Sequence, residues 1–374
     1  MKTFNLVLVK PAGPDCNLDC SYCFYVQHGT AVHETHRMSD EVLEEMIRQA
    51  LNGREQHMSF VWQGGEPTLM GLPFFQRVVA LQQKHGNGKS VSNALQTNGL
   101  LLNEEWAEFL REYRFLVGLS IDGPEHIHDH YRKARGGQGS WHQVMDAARL
   151  LRAHSVEVNV LSVVTDLAAQ FPEEIYAFHC SAGFEHMQYI PCVESDPGDP
   201  GRAAPYSVTA PAYGEFLVRL FDRWRADFDG PYARTSIRWF DSVFHAYVGL
   251  DAPECTLMQT CGVYLVVEHN GDVFACDFFV EPEWRLGNLM TAPLRDMLHG
   301  PAQDRFGRWK AELPTACREC PWLTMCRGGC TKDRIRDPRD SGVSHFCEAY
   351  KMFFHHADRP YRDFASAWAA SIRS

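Results

Sequence analysis

Short runs of β-branched residues alternate with stretches of helical periodicity over the first half of this chain. The predicted strands cover residues 4–9, 58–62, 91–96, 116–121, 156–164 and 186–190, and a helix-like stretch follows each of them. Strands that are joined through helices run in the same direction, so six β/α repeats predict an α/β fold with a parallel, barrel-like sheet. In that architecture the functional groups collect at the C-terminal ends of the strands.

Two helices and one loop can be placed from local signals. Ser39 can cap a helix whose first turn carries Asp40 and Glu41, which suit the positive end of the helix dipole. The apolar residues that share one face of this helix are Val42, Met46, Ile47, Ala50 and Leu51. A later helix is predicted by the spacing of Phe216, Leu217, Leu220, Phe221 and Trp224. The Pro/Gly-rich segment 194–205 before it is predicted to be a surface loop.

Length and composition indicate one large domain and one smaller domain. The chain has 374 residues, of which 45% are hydrophobic, so it can bury a large core. Its composition becomes cysteine-rich from about residue 255. We therefore predict a barrel domain over 1–235, a linker over 236–250 and a second domain over 251–374.

The sequence also disfavours some environments and partners. It has no apolar run of about 18 residues and no signal-type N-terminus, so we expect a cytoplasmic protein without a membrane partner. The formal charge is −11, and no basic run carries interleaved aromatic residues, which argues against a nucleic-acid partner.

The loop after the first predicted strand, CNLDCSYCFY, holds three closely spaced thiols. They are Cys16, Cys20 and Cys23, among thirteen cysteines in the whole chain. An odd number cannot be accounted for by disulfides alone, and clustered thiols in a reducing compartment more often bind metal. A partial zinc site or buried apolar thiols remain possible interpretations of the spacing. A four-iron cluster held by three cysteines would leave one iron open to an outside ligand.

The CxxxCxxC loop, with an aromatic Tyr22 before its last cysteine, resembles that of the radical SAM superfamily. The resemblance implies a partial (β/α)6 TIM-like barrel and an open iron that is chelated by S-adenosylmethionine. The QGGEP segment after the second strand resembles the GGE motif of that superfamily, which implies that Gly64, Gly65 and Glu66 hold the methionyl amino group. At the fourth strand, Ser120 and Asp122 are followed by Arg132, and a hydroxyl and a guanidinium suit a carboxylate.

The C-terminal third contains eight cysteines, enough for two tetrathiolate sites. The run CRECPWLTMCRGGC alone is also compatible with a zinc ribbon. Together with the CX9GX4C spacing that starts at Cys261, it resembles the SPASM extension, which binds two auxiliary four-iron clusters. The resemblance implies that one cluster is held by Cys255, Cys261, Cys276 and Cys330. The other would be held by Cys317, Cys320, Cys326 and Cys347. Cys180 and Cys192 match no ligand position.

Further motifs resemble those of anaerobic sulfatase-maturating enzymes over nearly the whole chain. They are CSYCFY, FVWQGGEPTLMGLPFF, LQTNGLLL, FLVGLSIDGP, SIRWFD, CDFFV and WRLGNL. Those enzymes use three [4Fe-4S] clusters and S-adenosylmethionine to oxidise a cysteine or serine of a sulfatase to Cα-formylglycine. The resemblance implies that the cosubstrate is contacted by Tyr25, Gly65, Ser120, Arg132 and Val193.

Asp277, directly after Cys276, is the implied proton acceptor. A 5′-deoxyadenosyl radical can take a hydrogen atom from substrate Cβ, and the carbon radical becomes strongly reducing once its thiol or hydroxyl loses a proton to a base. An auxiliary cluster could then accept the electron. Asp277 could instead cap a turn or pair with Arg238 or Arg285. The expected partners are an unfolded or nascent sulfatase polypeptide with a C/S-x-P/A-x-R motif, and an external electron donor such as flavodoxin or ferredoxin.

Three alternative functions remain open from the sequence. A related enzyme could form thioether or carbon–carbon crosslinks in a precursor peptide, although Cys16 comes so early that no N-terminal peptide-binding domain is expected before it. A small-molecule dehydrogenase could carry the same extension, but nothing would then explain the match to CDFFV and WRLGNL. Outside enzymology, the chain could be an electron carrier or a zinc-stabilised binding protein.

Overall fold

The structure is a computed structural model that describes residues 2–25, 35–230, 233–335 and 342–372. The strands are β1 Leu6–Lys10, β2 His57–Trp62, β3 Ser90–Thr97, β4 Leu116–Ser120, β5 Val158–Val164, β6 His186–Pro191, β7 Ser195–Asp196, β8 Asp199–Ala203, β9 Ser236–Ile237, β10 Leu265–Glu268, β11 Asp272–Phe274 and β12 Arg285–Asn288. The helices are α1 Asp40–Leu51, α2 Leu72–His85, α3 Glu104–Glu112, α4 Glu125–Tyr131, α5 Trp141–Ala153, α6 Pro172–Ser181, α7 Ala210–Ala226, α8 Arg238–Tyr247, α9 Leu294–Leu298, α10 Pro301–Ala311, α11 Thr315–Arg318, α12 Leu323–Cys326, α13 Lys332–Ile335 and α14 Cys347–Ser371.

All six predicted strands are present as β1 to β6, each within about two residues of its predicted ends. The predicted capping of the first helix is also confirmed. Ser39 has an extended backbone, and its Oγ accepts a hydrogen bond of 3.3 Å from the Val42 N–H. This bond satisfies one of the N–H groups that the first helical turn leaves free. The later predicted helix is observed as α7, which begins after Thr209.

The chain divides into two compact units. The first comprises Met1–Ser120, Asp129–Val158 and Gly262–Arg308, and the second comprises Ile121–His128, Asn159–Cys261 and Trp309–Ser374. These units are defined by contacts within each of them and are interleaved along the sequence. The division into 1–235, 236–250 and 251–374 stays a prediction about domains.

The first unit is built on seven adjacent strands in the order β12-β11-β10-β1-β2-β3-β4. The pairs β10–β1, β1–β2, β2–β3 and β3–β4 are parallel, whereas β10–β11 and β11–β12 are antiparallel. Strand β10 was not predicted, although it places Leu265 beside Val7 in the register. A segment far along the chain therefore extends the parallel sheet of the N-terminal strands.

The core of the first unit joins residues from both ends of this unit's sequence. Phe4, Val7 and Val9 of the N-terminal segment pack in one buried cluster with Leu265 and Val267 of β10. Helix α1 contributes the predicted apolar face, with Val42, Met46, Ile47, Ala50 and Leu51 buried, and Leu43, which was not predicted, is buried as well. Burial of this many large apolar side chains is the main stabilising term of such a unit.

A buried polar network links two strands and a helix inside this core. Asn93 Oδ1 accepts hydrogen bonds of 2.9 Å from Trp62 Nε1 and from Gln82 Nε2, and Asn93 Nδ2 donates to Gln82 Oε1 at 2.9 Å. Because all three side chains are buried, each polar group depends on another one and not on water. The network fixes β2, β3 and α2 relative to one another.

The second unit contains the strands β5, β6 and β9, which are adjacent in that order, and parallel pairing is found for β5–β6 and β6–β9. Its helices α7, α8 and α14 pack through aromatic residues. The ring centroids of Phe221, Phe240 and Phe353 lie between 5.4 and 5.5 Å from one another. Aromatic side chains of this size bury a large apolar area, so they hold the three helices together.

The prediction of a surface loop over 194–205 was wrong in part. Strands β7 and β8 form a two-stranded antiparallel sheet within this segment, and Glu194 and Ala204 at its ends are buried. Asp196 Oδ1 accepts a hydrogen bond of 2.8 Å from the Gly198 N–H, which shapes the turn. The glycines and prolines therefore mark a hairpin turn and not an irregular loop. Among the described residues, no helix combines the length and the apolar composition needed to span a bilayer.

We predict that Asn93→Ala destabilises the protein by about 2–4 kcal/mol, because it leaves Trp62 Nε1 and the Gln82 amide buried without their partner. Urea unfolding of the anaerobically reconstituted protein, followed by circular dichroism, measures this change. Ser92→Ala is the matched control, since Ser92 lies next to Asn93 on the same strand but is exposed and bonds Ser59 Oγ on the outer face. The control should change the free energy of unfolding by less than about 0.5 kcal/mol. Equal effects of the two substitutions would contradict the role of the network.

Candidate active site

The three-cysteine loop follows β1 and is held by a segment of the same unit. The Asp19 N–H donates to Lys133 O at 2.7 Å, and the Ser21 N–H donates to Tyr131 O at 3.3 Å. These backbone bonds fix the loop on both sides of its second cysteine. The partly exposed thiols of the loop belong to Cys16, Cys20 and Cys23.

The Cys16 thiol lies in a largely buried, donor-rich environment. Its Sγ accepts hydrogen bonds from the Leu18 N–H at 3.4 Å and from Asn98 Nδ2 at 3.8 Å. Burial, and to a smaller degree the charge of Glu66, raises the pKa of this thiol to about 12. A thiolate at neutral pH therefore requires a bound cation at this position, which fits a metal-cluster ligand whose sulfur is also hydrogen-bonded.

The QGGEP turn packs against the thiol loop through its backbone. The Gly65 N–H donates to Gly13 O at 2.8 Å, and the Glu66 N–H donates to Asp15 O at 2.7 Å. A Cβ atom on Gly65 would lie 2.0 Å from Asp15 O, closer than any real contact. Only glycine fits here, because the two backbones approach directly beside Cys16.

Glu66 is buried, with 1% of its surface exposed, and its carboxylate is engaged by four donors. Its Oε1 accepts from the Thr68 N–H at 3.0 Å, from Thr68 Oγ1 at 2.6 Å and from Thr97 Oγ1 at 2.7 Å. Its Oε2 accepts from the Asn98 N–H at 2.8 Å. Burial raises the pKa of Glu66, while these bonds favour its charged form. Sequence reasoning anticipated the acceptor but not the donors from the end of β3.

Ser120 and Arg132 also lie in the first unit. Ser120 ends β4, and its Oγ accepts a hydrogen bond of 2.8 Å from Gln96 Nε2 on the neighbouring strand. Arg132 is buried, and its guanidinium carbon lies 5.4 Å from the centre of the Tyr22 ring. The planar guanidinium of an arginine at this position can donate to a carboxylate.

Asp122 and Val193 belong to the second unit, and both are buried. Asp122 Oδ1 accepts a hydrogen bond of 2.9 Å from the Val163 N–H, while its own N–H donates to His128 Nδ1 at 3.3 Å. The carboxylate of Asp122 thus holds strand β5.

Asp277 is held by two polar side chains of its unit. Its Oδ1 accepts a hydrogen bond of 2.7 Å from Tyr264 OH, and its Oδ2 accepts one of 3.3 Å from Gln63 Nε2. Arg285, a partner that the sequence left open, pairs instead with Asp272 at 2.6 Å. The carboxylate is therefore oriented by neutral donors, and it lies beside Cys276, whose Sγ is 3.4 Å from its Oδ1.

Lys10 was missed by sequence reasoning, because a lysine after an apolar strand usually marks the point where the strand reaches solvent. It is buried instead. Its Nζ donates to the Asp277 carbonyl at 3.3 Å and lies 3.5 Å from the centre of the Tyr25 ring. Tyr25 OH in turn donates to Glu268 Oε1 at 2.6 Å. Burial lowers the pKa of Lys10, and the charges of Glu268 and Asp277 act against that shift. Lys10 therefore connects a predicted cosubstrate contact to the predicted base.

Four cysteines of the C-terminal region line one cavity in the second unit. They are Cys317, Cys320, Cys326 and Cys347, which form one of the two ligand sets implied by the sequence. Burial raises the pKa of Cys347 to about 11, so this thiol also needs a bound cation to ionise near neutral pH. A cavity whose walls carry four thiols fits a thiolate-bound cluster.

The other ligand set is divided between the two units. Cys255, Cys261 and Cys330 belong to the second unit, and Cys276 belongs to the first. Burial raises the pKa of Cys330 and of Cys261 above the usual range for a thiol. None of the thirteen cysteines, all of which lie in the described part of the chain, forms a disulfide. Within residues 2–25, 35–230, 233–335 and 342–372, no group of His, Cys, Asp or Glu side chains is arranged to hold a single metal ion.

Two family models match the chain. One, described as the Radical SAM superfamily, matches residues 11–175, and the other, described as an iron-sulfur cluster-binding domain (SPASM), matches residues 255–321. The first contains the three-cysteine loop and the QGGEP turn. The second begins at the first cysteine of the C-terminal set and confirms the predicted iron–sulfur extension.

Two curated relatives have equal identity to this chain. A serine-type anaerobic sulfatase-maturating enzyme of Bacteroides thetaiotaomicron is 38% identical over 96% of this chain and 90% of its own. A cysteine-type anaerobic sulfatase-maturating enzyme of Clostridium perfringens is 38% identical over 94% of this chain and 95% of its own. Overall identity therefore favours neither residue type as the substrate.

A solved structure of native anSMEcpe with bound AdoMet and the Cp18Cys peptide has 37% identity and a TM-score of 0.89, and it covers 97% of this chain and 99% of that chain. Streptococcus suis SuiB bound to its precursor peptide SuiA has 14% identity and a TM-score of 0.60, which indicates a shared fold alone. The parallel sheet, the two family models and the full-length relatives agree. The chain belongs to the anaerobic sulfatase-maturating enzymes of the radical SAM superfamily.

Proposed function

We propose that this protein oxidises a cysteine or serine of a sulfatase polypeptide to Cα-formylglycine, with S-adenosylmethionine and three [4Fe-4S] clusters. The full-length similarity to enzymes of that name carries the proposal. It is supported by a carboxylate, Asp277, that is held beside Cys276 by Tyr264 and Gln63. A protein that only carried electrons would have no use for an oriented base at this position.

The ligand roles follow the family motifs. The cluster that cleaves S-adenosylmethionine would be held by Cys16, Cys20 and Cys23. The cosubstrate itself would be held by Tyr25, Gly64, Gly65, Glu66, Ser120, Asp122, Arg132 and Val193. Glu66 Oε1 already accepts three hydrogen bonds whereas Oε2 accepts one from Asn98, so Oε2 is the atom we assign to the methionyl ammonium.

The auxiliary clusters would occupy the two C-terminal ligand sets. One set is Cys255, Cys261, Cys276 and Cys330, and the other is Cys317, Cys320, Cys326 and Cys347. When bound, they supply an acceptor for the electron that the substrate loses. An external one-electron donor such as flavodoxin or ferredoxin would supply the electron for cleavage of S-adenosylmethionine.

Asp277 is the residue we assign to proton transfer. When bound, the reduced cluster and S-adenosylmethionine supply a 5′-deoxyadenosyl radical that removes a hydrogen atom from substrate Cβ. The substrate thiol or hydroxyl must then lose its proton before the carbon can become a thioaldehyde or an aldehyde, and water converts the thioaldehyde to the aldehyde. Asp277 would accept that proton, because Tyr264 and Gln63 orient its carboxylate without neutralising its charge.

Lys10 would position this base. Its Nζ donates a hydrogen bond to the Asp277 carbonyl and lies over the ring of Tyr25. Both residues are therefore fixed to Lys10 at the end of β1. Tyr25 is fixed a second time by its bond to Glu268 on β10. Positioning of this kind sets the geometry between a reacting group and its base.

The experiment that tests the proposal uses two short peptides. The anaerobically reconstituted, reduced protein is incubated with S-adenosylmethionine and peptides that contain C-x-P-x-R or S-x-P-x-R. The mass change of formylglycine at the cysteine or serine supports the proposal, and the two rates give the residue preference. Loss of two hydrogens with a retained crosslink would support the peptide-crosslinking alternative instead.

We predict that the wild-type protein holds about twelve irons in three four-iron clusters, and that replacing Cys16, Cys20 and Cys23 together by alanine removes one cluster and all cleavage of S-adenosylmethionine. Iron analysis and release of 5′-deoxyadenosine measure the two effects. Cys180→Ala is the control, because this cysteine matches no ligand position, and it should keep the full iron content. Cleavage activity in the triple variant would contradict the assignment.

We predict that Arg132→Ala weakens binding of S-adenosylmethionine by about 1.5–3 kcal/mol with unchanged iron content, the usual scale for a lost charge-assisted hydrogen bond. Equilibrium binding to the reconstituted protein measures the change. Arg135→Ala, which removes an exposed arginine three residues away, should leave the affinity unchanged. If both variants bind normally, Arg132 has no role in cosubstrate binding.

We predict that Asp277→Asn still assembles its clusters and cleaves S-adenosylmethionine but forms at least about a hundredfold less aldehyde, the scale of a lost general base. The measured quantity is the ratio of 5′-deoxyadenosine to formylglycine, which should rise. With a Cβ-deuterated peptide, deuterium should remain in the nucleoside or return to unconverted peptide. Asp272→Asn is the matched control, since Asp272 pairs with Arg285 on the adjacent strand. Near wild-type aldehyde formation by Asp277→Asn would make that carboxylate structural.

A further inference from the structure

A five-residue segment, Cys326 to Cys330, connects the two auxiliary ligand sets. Its first cysteine is assigned to one set and its last to the other. Between them, Arg327, Gly328 and Gly329 have φ angles of 50°, 76° and 65°. Three consecutive residues in the left-handed region make a tight turn that side chains rarely allow, which explains the two glycines. The two sets are therefore joined by a short, strongly curved backbone.

Lys310 holds one side of this connecting segment. It is buried, with 0% of its surface exposed, and its Nζ donates to Gly329 O at 2.7 Å and to Thr256 O at 2.9 Å. The first of these carbonyls precedes Cys330, and the second follows Cys255. The ammonium thus lies next to two backbone positions of the same ligand set.

Arg334 holds the other side of the segment and is also buried, with 7% of its surface exposed. Its Nε donates to Gly328 O at 3.1 Å, and its Nη1 donates to Lys310 O at 2.8 Å. Its Nη2 is buried and has no hydrogen-bond partner among the described residues. A Cβ atom on Gly328 would lie 2.5 Å from this nitrogen, so the free end of the guanidinium lies against the connecting segment.

The two basic side chains share two neighbouring thiols, Cys261 and Cys330, and differ in the others. Burial lowers the pKa of Lys310, and the thiols of Cys261, Cys330 and Cys255, all of one set, act against that shift. Burial also lowers the pKa of Arg334, and thiols of both sets, namely Cys317, Cys261, Cys330 and Cys326, act against that shift. Two buried positive charges beside carbonyl groups alone would be costly, because carbonyl dipoles replace only part of the lost hydration. Thiolate-bound clusters on both sides of the segment would carry the negative charge that offsets that cost.

We propose that Lys310 and Arg334 are fixed positive charges that raise the reduction potentials of both auxiliary clusters, with Arg334 acting on the two clusters and Lys310 mainly on the one assigned to Cys330. This inference rests on the ligand sets of the proposed function. Reduction adds one negative charge to a cluster, and a nearby cation in a poorly hydrated site favours the reduced state. Both clusters would then accept electrons more readily than thiolate ligation alone allows.

The test measures potentials in the absence of a substrate. The anaerobically reconstituted protein is titrated with a reductant, and the reduced clusters are followed by electron paramagnetic resonance. Arg334→Gln removes the charge but keeps an amide donor, and it should lower the potentials of both auxiliary clusters. We expect the ratio of oxidised to reduced cluster at a fixed potential to change about tenfold, which corresponds to about 59 mV for one electron. Lys310→Gln should lower one potential more than the other.

Two comparisons separate charge from structure. Arg334→Lys keeps the charge without the planar fork, and it should restore most of the shift. Lys351→Gln is the control for an exposed cation. Lys351 interacts with Cys347 and Cys320, but its side chain is 44% exposed and paired with Glu348. Water should screen its charge, so Lys351→Gln should shift the cluster potentials by much less than Arg334→Gln does. The cluster assigned to Cys16, Cys20 and Cys23 serves as an internal reference that should not change.

Asp333→Asn should shift the potential in the opposite direction, because it removes a negative charge. This test does not require that Arg334→Gln still assembles its clusters. Asp333 is buried, its charge acts on Cys330, and burial raises its pKa to about 6, so it is ionised at pH 8. The nearly isosteric asparagine should raise the potential of the cluster assigned to Cys330. Unchanged potentials in Asp333→Asn, or in Arg334→Gln with full iron content, would overturn the proposal. Lys310 and Arg334 would then serve only to hold the backbone through their hydrogen bonds to carbonyl groups. The proposed function fails separately, if peptides are not converted to formylglycine.

Discussion

A single buried carboxylate, that of Glu66, holds together by hydrogen bonds the loops around the predicted first cluster site. A charged group in a protein interior is stable only when hydrogen bonds replace its hydration, and Glu66 obtains four of them from Thr68, Thr97 and Asn98. Asn98 extends the network, since its Nδ2 donates to Asn17 Oδ1 at 2.7 Å and lies near Cys16. The network therefore fixes the thiol loop to the ends of β2 and β3. Loss of any one donor would weaken the other hydrogen bonds of the network.

The same unit brings in its base from a distant part of the sequence. Strand β10 runs parallel to β1, which places Glu268 within reach of Tyr25 and the turn after β11 within reach of Lys10. The proposed proton acceptor and a proposed cosubstrate contact are thus both held by residues of one sheet, Lys10 and Glu268. A fixed base of this kind suits proton transfer, which requires an accurate geometry.

Much of this arrangement could be predicted from local patterns in the sequence. The strands β1 to β6 were predicted because their apolar runs are long and bounded by turn residues, and the cysteine spacings were sufficient to predict the family. Strand β10 was missed because LVVE is short and its pairing with Val7 to Lys10 is not encoded locally. The hairpin of β7 and β8 was missed because its glycines and prolines resemble those of a loop. Lys10, Lys310 and Arg334 were missed for a common reason, since a charged residue at the end of an element normally faces water.

The interleaved first unit has a consequence for how the chain is synthesised. Its buried cluster needs Leu265, Val267, Val273, Leu289 and Leu294, which leave the ribosome only after most of the chain has been translated. Until then the free edge of β1 exposes unpaired backbone groups beside an apolar face, a surface prone to aggregation. Contacts between residues so far apart in sequence also make folding slow. The N-terminal half should therefore need a chaperone during translation, and a fragment that ends before residue 262 should not form a stable barrel on its own.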